Sequence, residues 1–198
     1  MRLLRIIVLL CLSLGACAPA PQPHLQHEVY IWQRQWTPAL RESIATATPT
    51  VAGWHVLAAE VGVDQRVFTV AVDFAALRAS HRPVTAVIRI DGRDGHIEHY
   101  LPFIIALAAR WQGEKLPLRA IEIDYDSATR QLPVYANFLR ALRQQLPSHL
   151  ALMNTALPAW LDSPALDKVL AASDSAVLQV HSVKNRQQGL FHAQDAQR

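Results

Sequence analysis

The 198-residue sequence predicts an α/β chain, a (β/α)8 TIM-barrel-like fold that is incomplete at its carboxyl end. Three observations carry this. Strand-like and helix-like segments alternate along the chain, about six main strands in all, which implies parallel β-α units. Polar and charged residues punctuate strand after strand, as in barrels that gather reactive groups from the carboxyl ends of several strands. A doubly wound open sheet fits the same alternation, but such sheets usually carry a glycine-rich phosphate loop, and no such motif occurs.

The first element lies outside the domain. Arg2 and Arg5 precede an apolar run from Ile6 to Leu14, the layout of a secretory signal over residues 1–16. The run is too short to span a bilayer as a mature helix. Leu14-Gly15-Ala16-Cys17 resembles the bacterial lipobox, which implies acylation of Cys17 as the new amino terminus. Ala18 stands where an aspartate would favour inner-membrane retention, so the expected location is the outer membrane, facing the periplasm. Residues 17–27, with Pro19, Pro21 and Pro23, read as an extended tether. Loss of Arg2 and Arg5 leaves 17 basic against 16 acidic residues, so the basicity belongs largely to the signal. No cluster of basic residues interleaved with aromatics remains, and nucleic acid is not an expected partner. Cys11 and Cys17 are the two cysteines, so residues 28–198, expected as one domain, contain neither a disulfide nor a cysteine metal site.

Within that domain, Glu28 to Gln33 is rich in aromatic and β-branched residues and predicts the first strand. Thr37 and Pro38 supply an N-cap and a first-turn proline for a helix to about Thr46. Trp54 to Val61 predicts a second strand, and Val67 to Phe74 a hairpin-like insertion. Val84 to Asp91 is the third main strand, followed by a helix over 96–111 in which Pro102 begins or kinks the ordered part and Gly113 ends it. Ala120 to Asp126 is the fourth. Leu132, Tyr135, Leu139, Leu142 and Leu146 recur at helical spacing. Leu150 to Ala156, a short helix from Ser163 and Pro164, and Ala176 to Val183 complete the series. From Cys17 the chain has about 180 residues where a complete barrel takes about 250, hence the expectation of a truncated barrel.

The fourth strand carries the chemistry. On a strand, Glu122, Asp124 and Asp126 share one face while Ile121, Ile123 and Tyr125 share the other. Successive carboxylates on that face are about 6.5 Å apart, close enough in a poorly solvated site to raise at least one pKa. Asp126, nearest the strand's carboxyl end, is the candidate acid, and Asp124 the group beneath that holds and tunes it. Glu60 is the candidate opposite carboxylate. Arg89 and Asp91 point the same way on the third strand, Arg89 either neutralising Glu122 or Asp124 or forming a structural ion pair. Gln179 and His181 share a face on the sixth strand and suit substrate hydroxyls, while Trp32 and Tyr30 suit stacking on sugar rings. No metal-ligand spacing supports a site at Asp124, Asp126 and His181, and neither metal nor cofactor is expected.

Six blocks carry a resemblance: Glu28-Val29-Tyr30-Ile31-Trp32-Gln33, Leu57-Ala58-Ala59-Glu60-Val61, Val87-Ile88-Arg89-Ile90-Asp91-Gly92, Ile121-Glu122-Ile123-Asp124-Tyr125-Asp126, Ala156-Leu157-Pro158-Ala159-Trp160-Leu161 and Leu178-Gln179-Val180-His181. In this order they resemble the bacterial domain-of-unknown-function family 3142, from about Glu28 to Phe191. The resemblance implies an exported barrel related to glycoside hydrolases, with family members longer at the carboxyl end. The acidic strand is also similar to the fourth-strand motif of barrel glycosidases that act through substrate assistance, but Ala128 stands where that motif has its glutamate proton donor. Two functions follow: a hydrolase or transglycosidase acting on an envelope or extracellular polysaccharide, or a lipid-anchored barrel that binds glycan or protein without turnover.

Overall fold

The computed structural model of the chain describes residues 25–91 and 96–180. Cys17, the expected signal over residues 1–16 and His181 lie outside the described residues. The strands are β1 (Glu28–Ile31), β2 (Gly53–Val61), β3 (Val67–Thr69), β4 (Val84–Ile90), β5 (Leu118–Tyr125), β6 (Ala151–Ala156) and β7 (Ser175–Leu178). Six of them form one parallel sheet in the order β1-β2-β4-β5-β6-β7, and β3 pairs antiparallel with β2 as a short hairpin. A single cleft is lined from both outermost strands, by Tyr30 of β1 and Trp32 just beyond it and by Val177 to Val180 around β7, so the sheet curls toward closure as an incomplete TIM-like barrel.

The helices are α1 (Pro38–Ala47), α2 (Phe74–Ser80), α3 (Leu101–Gly113), α4 (Leu132–Gln145) and α5 (Leu166–Leu170), with 3₁₀ turns at Ile97–Tyr100, Thr129–Gln131 and Pro158–Trp160. Thr37 caps α1 as expected, its hydroxyl accepting from the Leu40 amide at 3.3 Å. Pro102 sits in the first turn of α3, where its missing N–H costs nothing, so it begins that helix instead of kinking it.

The segment Val67 to Phe74 corrects the sequence reading. Only Val67–Thr69 is strand, and Phe74 opens a helix the sequence analysis did not anticipate. The reason is local: the Asp73 carboxylate accepts from the Ala76 amide at 3.0 Å, and the alanine- and leucine-rich run beyond it favours helix. Arg41 of α1 pairs with the same carboxylate at 2.5 Å and ties the two helices together.

Helices cover one face of the sheet. Val56, Ala58, Val84, Ala86, Ile88, Ile121, Ile123 and Tyr125 face them and join Leu132, Tyr135, Leu139 and Leu142 of α4 in one core. Tyr135 sits edge-on to Tyr125 and Trp160, and its hydroxyl donates to the Ile123 carbonyl at 3.1 Å. Burial of this apolar side turns the alternate residues of β5 into the barrel interior.

Candidate active site

Two irregularities in the sheet decide which side chains reach that interior. Along β2, Leu57 pairs with Val87, but the next pair is Ala59 with Ile88, so Ala58 is an extra residue. Strict alternation from His55 and Leu57 would have sent Glu60 to the helix side. The bulge reverses the phase, places Glu60 opposite Arg89 on the inner face, and is a known device for re-aiming a side chain. In β5 the pairs Val84 with Leu118 and Thr85 with Ala120 leave Arg119 as a second extra residue. Its guanidinium enters the lower interior, donating to the Thr85 hydroxyl at 3.2 Å and to Glu28 Oε1 at 2.6 Å.

The lower layer is a closed ionic network. His55, 2 % exposed, places Nδ1 at 2.5 Å from Glu122 Oε2 and Nε2 at 2.7 Å from Glu28 Oε2. Both ring nitrogens face carboxylates, an arrangement that favours the protonated ring, which can donate to both. Burial pulls its pKa down, but the hydrogen bonds and charges of Glu122 and Glu28 outweigh it and the net shift is upward. Arg119 holds the Glu28 carboxyl below its usual range, against the opposing effect of burial and with further help from His55. Tyr30 completes the layer: its hydroxyl donates to Glu122 Oε1 at 2.7 Å, and burial beside that charge keeps the phenol protonated. Gly53 makes room, since a Cβ there would meet the Pro83 carbonyl at 3.2 Å and the Glu28 carboxylate at 3.4 Å.

Above this layer the interior opens into a cleft of about 430 Å³ lined by Tyr30, Trp32, Arg89, Asp124, Asp126, Thr155 and residues 177–180. Asp124 is 5 % exposed, and its Oδ1 accepts from the Thr155 hydroxyl at 2.8 Å and from Gln179 Nε2 at 2.8 Å. Neither bond uses Oδ2. Burial raises the Asp124 pKa, Thr155 opposes it, the Asp126 charge raises it, Arg89 lowers it and Glu122 raises it, with a net upward result. Asp126, just past the end of β5, is exposed in the cleft. Trp32 stacks on Tyr30 with ring centroids 5.3 Å apart and a 6° interplanar angle, and it remains 42 % exposed. On its other side lies a more open cavity of about 600 Å³, lined by Gln33, Arg34, Leu57, Glu60 and again Trp32 and Arg89. Trp32 and Arg89 thus divide one groove into two halves.

Of the residues singled out from the sequence, the cleft brings together Asp124, Asp126, Arg89, Gln179, Trp32 and Tyr30. Glu60 stands in the adjoining half, paired with Arg34. Glu122 does not line either half; it is fully buried and committed to His55 and Tyr30. Asp91 follows the last residue of β4 and lines neither cavity. Arg89 lies opposite Asp124 in the register of β4 and β5, and its charge works against the rise in that carboxyl's pKa. Thr155, His55, Glu28 and Arg119 were missed. Thr155 follows the same alternation as Asp124 on the neighbouring strand, and that signal was available in the sequence.

Six strands and two acids at their carboxyl ends set the comparison with known proteins. The Bacillus cereus spore cortex-lytic enzyme SleL matches with a TM-score of 0.61 and 16% identity, covering 81% of this chain and 43% of that one. A chitinase from Chromobacterium violaceum matches with a TM-score of 0.60 and 12% identity, covering 82% and 57%. A chitinase from Bacteroides thetaiotaomicron gives 0.57 and 15%, covering 79% and 54%. The chain therefore spans about half the length of these solved structures, and the likeness is one of fold. No curated protein matches the sequence. Residues 80–198, which include β4 to β7 and the acidic strand, match the family described as "Domain of unknown function (DUF3142)", and the chain belongs to that family.

Proposed function

We propose that the cleft is a glycosidase-type acid/base site acting on an envelope or extracellular polysaccharide. The observation that supports this best is the pairing of an exposed Asp126 with a buried Asp124 of raised pKa in a cleft walled by the Trp32 face. Asp126 is the group that reaches a glycosidic oxygen. Asp124 lies one inward step beneath it, where burial and the nearby Asp126 charge both raise its pKa. Arg89 offsets the second negative charge, and the Thr155 and Gln179 donors fix the Asp124 carboxyl plane. Glu60 is the second carboxylate across the groove, held by Arg34. The named neighbours, a cortex-lytic enzyme and chitinases, support a polysaccharide substrate.

The proposed setting is a lipoprotein of the cell envelope: residues 1–16 as the signal, Cys17 acylated, residues 17–27 as the tether, and the barrel beyond. Among the described residues no helix is long and apolar enough to cross a membrane. Ala128 at the position of the glutamate in the related motif supports a second reading, a barrel that binds glycan without turnover.

One experiment separates the two. The protein is assayed for release of reducing ends from chitin and from purified cell-wall glycan, alongside Asp124→Asn and Asp126→Asn. Turnover by the wild type that both substitutions abolish while glycan binding persists supports the enzyme. Binding without turnover in all three proteins supports the binder and rejects the enzyme.

A further inference from the structure

The sequence His96-Ile97-Glu98-His99 follows β4 on the carboxyl-end side of the sheet and belongs to no part of the cleft. His96 is the N-cap residue of the 3₁₀ turn Ile97–Tyr100, and it makes no side-chain capping bond. In a 3₁₀ turn, residues i and i+3 eclipse. Accordingly the His96 and His99 rings stand one over the other, 9° from parallel with centroids 5.3 Å apart. Glu98 Oε1 lies 3.5 Å from His96 Nδ1. One ligand atom from each of the three residues falls within 4.8 Å of the other two.

Those dimensions can be set against a metal. A tetrahedral Zn²⁺ with bonds of about 2.0–2.2 Å holds its ligand atoms about 3.3 Å apart. The His96–Glu98 pair is already near that spacing, and the remaining gaps close by roughly 1.5 Å at most, within reach of small χ rotations of exposed side chains. Two imidazoles and one carboxylate suit zinc, nickel or cobalt better than magnesium or calcium, which favour all-oxygen sets. All three side chains are exposed.

We propose that His96, Glu98 and His99 form a surface site for a divalent transition-metal ion of the zinc class, which staples the uncapped start of the turn leading into α3. Bound metal ties residue 96 to residue 99 at the entry to α3, with His96 seven positions beyond Arg89. The site is independent of the glycan reading.

The test uses the full chain. Zn²⁺ is titrated in competition with a chromogenic chelator, and Co²⁺ is added in parallel for its visible absorption. One equivalent should bind, with a cobalt spectrum of tetrahedral intensity, and zinc should raise the melting temperature. His96→Ala and His99→Ala should each weaken binding by about tenfold or more. His149→Ala, at another exposed histidine, should change nothing. All three positions are exposed, so the variants keep the wild-type circular dichroism. Equal affinity in the wild type and in the His96→Ala/His99→Ala double variant, or no zinc bound by the wild type, overturns the proposal.

Discussion

The His55 ring bridges two carboxylates, Nδ1 at 2.5 Å from Glu122 and Nε2 at 2.7 Å from Glu28, in the floor of the barrel. Three strands meet through this one side chain, because Glu28 lies on β1, His55 on β2 and Glu122 on β5. Removing one partner of such a buried set leaves a charge without compensation. Glu122→Ala should therefore cost about 3–5 kcal/mol in urea unfolding at pH 7, whereas an exposed pair such as Arg66–Asp64 should cost under about 1 kcal/mol. An equal loss at the two sites would mean the floor network does not hold the sheet.

The same ring gives stability a pH dependence of defined sign. His55 has a folded pKa above its ordinary value, so its contribution is full below about pH 6.5 and is lost as pH rises through the raised value. Glu28 is lowered, so its contribution is present above the ordinary carboxylate range and fades as pH falls through the lowered value. Melting temperature should peak between these limits. In His55→Gln the alkaline decline should flatten while the acid decline remains, as measured by thermal unfolding across pH.

Asp124 is tuned by its neighbours. Thr155→Val removes the hydroxyl that lowers its pKa, so the carboxyl should titrate at a still higher pH. Carbon-13 NMR of labelled aspartate carboxyls reads this directly. A downward shift, or none, would show that the bond to Thr155 does not favour the charged form.

Trp32 offers its exposed face to the groove while its other face lies on Tyr30. Trp32→Ala should weaken glycan binding by about tenfold and leave unfolding nearly unchanged, since the ring buries little in the core. Calorimetric binding alongside a melting curve checks both halves. A large stability loss with unaltered affinity would make the residue structural.

The acid column was legible because β5 keeps strict alternation from Ala120 onward, with Ile121, Ile123 and Tyr125 committed to the helices. The parallel order followed from the rhythm of strands and helices, and the short antiparallel β3 from the brief gap after β2. The bulges at Ala58 and Arg119 were not legible, because an extra residue in a parallel pair leaves no mark in composition. Glu122 reads as a catalytic acid when only its own strand is considered. His55 and Tyr30, on other strands, turn it into a floor anchor, and a pairing across 67 or 92 residues is invisible to local pattern. Helix α2 was missed although Asp73 followed by Phe74-Ala75-Ala76-Leu77 is a cap signal, because the preceding β-branched run drew the segment toward strand.

The position of a bound sugar tests the acid/base role of Asp126 most directly. A crystal structure of Asp126→Asn with a bound chito-oligosaccharide should place a glycosidic oxygen about 3 Å from the residue-126 amide, with one pyranose ring against Trp32. An oligosaccharide seated elsewhere, or lying in the groove with no glycosidic oxygen near the end of β5, would contradict it.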